Sequence, residues 1–246
     1  MFRSEVFYLF LLAWTLLIGG CRGVDLSSVP LADELGLVEV KPVPEEVRSR
    51  YGPTAKDRLE AIRKQRKRAK HGSQEVKEEV SEELAKQIQR ESNGFLRQEI
   101  VRALAECGTS QAASILRAGL NDESIDVQIQ CCRGWSKWGT DESVVVLGQI
   151  LENQLAAIDL KIAAIDALQS IGKPKGASFL VPLLDKREDP ALQYKALAAL
   201  QKITGKNLLN DQEAWQVFVA DEIERSTELE ANGDSSSTKS TLFWWR

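Results

Sequence analysis

The 246-residue chain has one histidine, one methionine and four cysteines. A single imidazole, His71, cannot build a multi-histidine metal centre. It lies in a basic run outside the regular part of the chain, so acid–base catalysis centred on it is not expected. The chain carries no Gly-rich phosphate loop, no Ser/His/Asp set and no metalloprotease motif. Charge of one sign is also missing: 32 Lys and Arg stand against 36 Asp and Glu, a net charge of −4 that argues against nucleic-acid binding. Proline is scarce, and four of the seven (Pro30, Pro42, Pro44 and Pro53) precede residue 54. Most of the chain beyond that point is therefore free to be helical.

The apolar run at residues 6–18 is broken only by Thr15. It is too short to span a bilayer comfortably and matches the apolar region of a secretory signal peptide. Met1 and Arg3 give it a weakly basic start, offset by Glu5. It ends in Leu17-Ile18-Gly19-Gly20-Cys21, which resembles a bacterial lipobox. The resemblance implies a signal segment over residues 1–20, lipidation of Cys21, and tethering to a membrane of the cell envelope. Arg22 in place of Asp weakly disfavours inner-membrane retention by the same resemblance. An ordinary signal peptide and an uncleaved anchor are the alternatives.

Residues 21–54, with their prolines and no sustained period, read as an extended tether. Residues 55–92 read as N-terminal helices, basic and then acidic. The first has Ala55, Leu59 and Ile62 as a thin apolar stripe and ends in the run Arg63-Lys-Gln-Arg-Lys-Arg-Ala-Lys-His71. Such a run can meet anionic lipid headgroups or nucleic acid. It has no aromatic residue to stack on bases. The reading adopted is a solvated helix end facing the acidic stretch at 75–83. Ser73 is the expected N-cap of a helix over 74–92, with Val76, Val80, Leu84 and Ile88 four apart and Asn93-Gly94 ending it.

Over residues 93–225 the chain repeats. Leu96, Val127, Leu160 and Leu192 form one apolar column. Ile100, Cys131, Ala164 and Ala196 form the next, followed by Ala103, Gly134, Ala167 and Ala199. Leu104, Trp135, Leu168 and Leu200 come one residue later, and Cys107, Trp138, Ile171 and Ile203 close the series. Every column steps by 31, 33 and 32 residues. Second helices align through Ile115, Val146 and Phe179, through Leu116, Leu147 and Leu180, and through Leu120, Leu151 and Leu184. Gly108, Gly139, Gly172 and Gly205 fall just past the first helices, where left-handed backbone is needed. Thr109 or Ser110, Thr140 and Asp189 before Pro190 are expected N-caps. The small-residue column implies close packing between neighbouring first helices.

These units of about 32 residues resemble HEAT repeats, in the short, Ala-rich form of bacterial HEAT-like and phycobilin-lyase-like (PBS-lyase-like) proteins. The closing segment Ile203-Thr-Gly-Lys-Asn-Leu-Leu-Asn-Asp-Gln-Glu-Ala-Trp215 looks like the end of HEAT-repeat lipoproteins of the planctomycete type. There Asp211 would cap the last helix, and Trp215, Phe218 and Ile223 would close the core. The resemblance implies an all-α, right-handed α-solenoid of about four helical pairs with an additional N-terminal helix or helix pair. Residues 226–246 read as a disordered tail ending in Leu242-Phe-Trp-Trp-Arg246, which is open to reading as an interfacial anchor, a docking peptide or neither.

Candidate chemistry is confined to Cys107, Cys131 and Cys132, an odd set once Cys21 is acylated. Two of them occupy core columns and read as small buried apolar residues. A vicinal Cys131–Cys132 bridge would be strained, and a Cys107 pairing with either remains open. Asp122/Glu123 and Asp141/Glu142 read as helix-start and turn residues, and Trp135 and Trp138 as core. The expected function is a non-enzymatic scaffold for a protein partner, membrane-tethered through Cys21, with no cofactor, metal or nucleic acid. The alternatives are a lyase-like enzyme or subunit using one of the thiols, and a purely structural envelope protein.

Overall fold

The computed structural model describes residues 44–185 and 187–231, which are helical with no strand. The expected signal segment, Cys21, most of the tether and the aromatic C-terminus lie outside the described residues. The chain divides into two units, residues 1–52 and 53–246. In the first, α1 (Glu45–Tyr51) occupies part of the stretch expected to be extended.

The second unit begins with α2 (Ala55–His71), fixed at its start by a capping box in which Thr54 and Asp57 satisfy each other's backbone N–H groups. Then come α3 (Gln74–Ile88), α4 (Gly94–Cys107), α5 (Ser110–Gly119), α6 (Ile125–Trp138) and α7 (Asp141–Glu152). The series continues with α8 (Ile158–Ile171), α9 (Pro174–Leu180), α10 (Pro190–Thr204) and α11 (Gln212–Ala231). Helices α2, α4, α6, α8 and α10 pack side by side as one layer, and α3, α5, α7, α9 and α11 cover it as a second. This is an α-solenoid, in which each pair buries its apolar stripe against the next.

The apolar columns form its core. The four columns from Leu96 to Leu200 are buried throughout, whereas Trp138, Ile171 and Ile203 in the last are only partly covered. Leu116, Leu147 and Leu180 face them from the second layer, each fully buried. The repeat punctuation is as expected. Gly108, Gly139, Gly172 and Gly205 adopt φ of 65°, 60°, 71° and 68°, and Thr109, Thr140 and Asp189 accept N-cap bonds. Asp211 Oδ1 accepts from Ala214 N, and Trp215 is fully buried with Phe218 edge-on at 6.4 Å.

Four local expectations change. The α3 helix stops at Ile88, and Asn93 caps α4, its Oδ1 accepting from the N–H groups of Phe95 and Leu96 rather than ending the helix before it. Ser73 holds the N-cap position of α3 without a side-chain cap bond. The second helix of the third pair breaks after Leu180 into a 3₁₀ turn, Val181–Leu184, because Pro182 has no N–H to continue the α-helical ladder. Finally, α11 runs to Ala231, so residues 226–231, expected in the tail, are helical. Ser226 and Thr227 turn their hydroxyls back onto the Ile223 carbonyl and remain compatible with the helix.

Candidate interaction surfaces and the buried thiols

The outward side of the first-helix layer is tied across repeats by charge. Glu106 at the end of α4 bridges Arg66 of α2, at 3.4 Å, and Lys137 of α6. Burial raises the Glu106 pKa, but the two cations outweigh it and hold the group below the ordinary glutamate value. Asp166 of α8 accepts from Lys195 of α10 at 2.9 Å. On α2 itself, Arg68 reaches Glu79 and Glu83 of α3 at 3.0 and 3.5 Å. The basic and acidic helices therefore face each other, as their charge predicts.

A second set of ties fastens the loops between repeats, and the sequence reading does not single it out. The residue after the first column is Arg97, Gln128, Lys161 or Gln193. Arg97 Nη1 donates to the carbonyls of Glu91 and Ser92, at 3.3 and 2.9 Å. Gln128 donates to the Asp122 carbonyl at 2.5 Å, and Gln193 to those of Asp185 and Glu188. The signal is present in the sequence, because all four are long polar residues at the repeat period. Arg97 also holds Asp122 at 2.8 Å and Glu123 at 2.9 Å. Burial raises the Asp122 pKa, but this pairing and the Ser124 N–H pull it below normal. Asp141 and Glu142 lie in the first turn of α7 and pair with Lys173 and Arg117. These carboxylates are occupied with structure.

All three described cysteines are free and buried. Desolvation is the largest influence on each, pushing the thiol pKa up, to about 12 for Cys132 and higher still for Cys131. The Cys107 thiol donates weakly to the Ala103 carbonyl at 3.7 Å, and no disulfide joins it to Cys131 or Cys132. Thiols of this kind are poor nucleophiles. Trp135 and Trp138 meet edge to face at 5.1 Å in the core, with Trp138 Nε1 donating to the Ala105 carbonyl.

A polar groove of about 370 Å³ lies between α3 and the start of α5, lined by Gln74, Glu78, Ser81, Glu82, Thr109 and Gln111. At its base Ser81 and Thr109 share a buried 2.5 Å hydrogen bond. Among the described residues no group of His, Cys, Asp and Glu is placed to hold a metal ion, and no helix is long and apolar enough to cross a membrane.

A family model described as the PBS lyase HEAT-like repeat matches residues 96–122, most of α4 and all of α5. No curated protein matches the chain. Among solved structures, the chain is similar to that of human deoxyhypusine hydroxylase in complex with glycerol. Identity there is 20% over 51% of this chain and 44% of that one, with a TM-score of 0.45. It spans less than half the length of that hydroxylase. It is also similar to a crystal structure of an engineered protein, at 19% identity over 77% of this chain and 89% of that one, with a TM-score of 0.42. The described residues form an all-helical α-solenoid, and within it residues 96–122 match a HEAT-like repeat.

Proposed function

We propose that the chain is a non-catalytic HEAT-like scaffold, held at a cell-envelope membrane by acylated Cys21 and offering its stacked helices to a protein partner. The observation that carries the reading is how the stack uses its reactive groups. Its thiols are buried and held protonated, the carboxylates Glu106, Asp122, Glu123, Asp141, Glu142 and Asp166 are committed to pairs within the fold, and the regular product of the fold is extended helical surface. The tether rests on the apolar run at 6–18 and the Gly19-Gly20-Cys21 ending. The lyase-like alternative needs a reactive thiol, and the burial of Cys107, Cys131 and Cys132 weighs against it.

The test is metabolic labelling with a fatty-acid precursor. The wild-type chain takes up label and sediments with membranes, and Cys21→Ala does neither. Equal labelling of the variant would refute the tether. Crosslinking in the native envelope then identifies what the stack holds, and a scaffold predicts a reproducible protein partner.

A further inference from the structure

The α2 helix is the terminal member of the first-helix layer, and its four sides are differently occupied. Ile62 and Ala69 face the core, fully buried. Arg66 turns toward Glu106 of α4, and Arg68 toward Glu79 and Glu83 of α3. The remaining side carries Lys56, Glu60, Arg63, Lys67 and Lys70, with Lys64 flanking it. Their spacing of four, three, four and three residues places them in one stripe along the helix, turned away from Ile62 and Ala69. All six are exposed, and the five cations make no ion pair among the described residues. A face with five cations and one carboxylate stands out in a chain whose net charge is −4. Simple solvation does not require this asymmetry, because the same helix spends its other arginines on intramolecular partners.

We infer that this face of α2 is a docking surface for anionic phospholipid headgroups. The inference rests on the membrane tether proposed above. Two features select lipid over other polyanions. First, α2 is the helix of its unit nearest in sequence to Cys21, and the intervening 22–54 cannot carry it more than roughly 110 Å from an acylated Cys21. Second, the face is a straight row of flexible cations without an aromatic or a shaped pocket, which suits a laterally mobile charged surface better than a base or a folded epitope. The attraction acts within about a Debye length, roughly 10 Å. It therefore orients the stack with α2 against the membrane and its far end, α10 and α11, pointing away.

The full-length chain is mixed with vesicles of phosphatidylcholine alone or enriched in phosphatidylglycerol, and bound protein is measured by flotation at low and high salt. The intact mass of the purified chain reports acylation separately. The expected result is about tenfold or more tighter binding to the anionic vesicles at low salt, lost at high salt. The quadruple variant Arg63→Gln, Lys64→Gln, Lys67→Gln, Lys70→Gln should lose that excess while still binding phosphatidylcholine like the wild type. An equal-charge control, Lys86→Gln, Arg90→Gln, Lys175→Gln, Lys202→Gln, should retain it. No anionic excess, or equal loss in both variants, overturns the inference. So does binding to duplex RNA or polyglutamate that depends on the α2 cations while anionic vesicles are ignored. Failure of acylation with the α2-dependent excess intact refutes the tether alone.

Discussion

Gly148 offers a sharp test of how closely the second-layer helices meet. It is buried inside α7, and the Phe179 ring of α9 lies over it. A Cβ built there would stand 2.5 to 2.6 Å from Cδ1, Cε1 and Cγ of that ring, about 1 Å inside ordinary contact. Two effects compete in Gly148→Ala. Alanine is favoured over glycine in a helix interior by about 1 kcal/mol. Displacing a rigid ring from a packed layer costs about 1–3 kcal/mol. The second should win, for a net loss of about 1 kcal/mol, or roughly 2–4 °C in Tm. In a Phe179→Ala background the obstruction is gone, and the same substitution should become stabilising by up to about 1 kcal/mol. Urea unfolding followed by both circular dichroism and tryptophan fluorescence measures the cycle and checks that the two transitions coincide. Should Gly148→Ala stabilise the wild type as much as it stabilises Phe179→Ala, the close approach of α7 and α9 is not there.

Three further outcomes are expected from the same geometry. Glu106 has a lowered folded pKa, so its contribution is complete above the ordinary value of 4.5 and is lost as pH falls through the folded one. The acid-unfolding profile of Glu106→Gln should therefore lie about 1 kcal/mol lower than the wild type at neutral pH and converge on it only as pH falls through the lowered folded value. Native protein should leave Cys107, Cys131 and Cys132 unreacted with an aromatic disulfide reagent until denaturant is added, and a fast-reacting native thiol would reopen the enzymatic reading. Thr109→Val removes both the α5 N-cap and the partner of buried Ser81, and should cost about 2 kcal/mol by thermal melting, whereas Thr109→Ser should cost little.

The sequence is most legible where the repeat forces one solution. A buried column tolerates few residue types, so Leu96 to Leu192 and Ala103 to Ala199 announce themselves at a fixed step. A left-handed cap selects glycine just as strongly at Gly108 and its three counterparts. Legibility falls where several residue types serve equally well. The α3 helix ends at Ile88, four residues before the expected boundary, because the polar stretch after it is compatible with helix until Asn93 claims the next N-cap. The break at Pro182 is masked by an apolar pattern that a 3₁₀ turn continues without changing faces for its four residues. The charge pairs are legible only in part, since composition announces a basic and an acidic helix but cannot say which cations are left unpaired.

The loop ties carry a consequence for how such an array is assembled and altered. Arg97, Gln128 and Gln193 each fasten the loop that leads into their own helix. Three of the four repeats therefore travel with a fastener of their own, and only Arg97 also reaches forward, to Asp122 and Glu123 in the next loop, so that excising its unit of about 32 residues is the case that would leave a neighbour's carboxylates unpaired. Length then becomes a separately adjustable property of the array, changeable by whole units while the two ends, the α2 helix and the Trp215 closure, stay as they are.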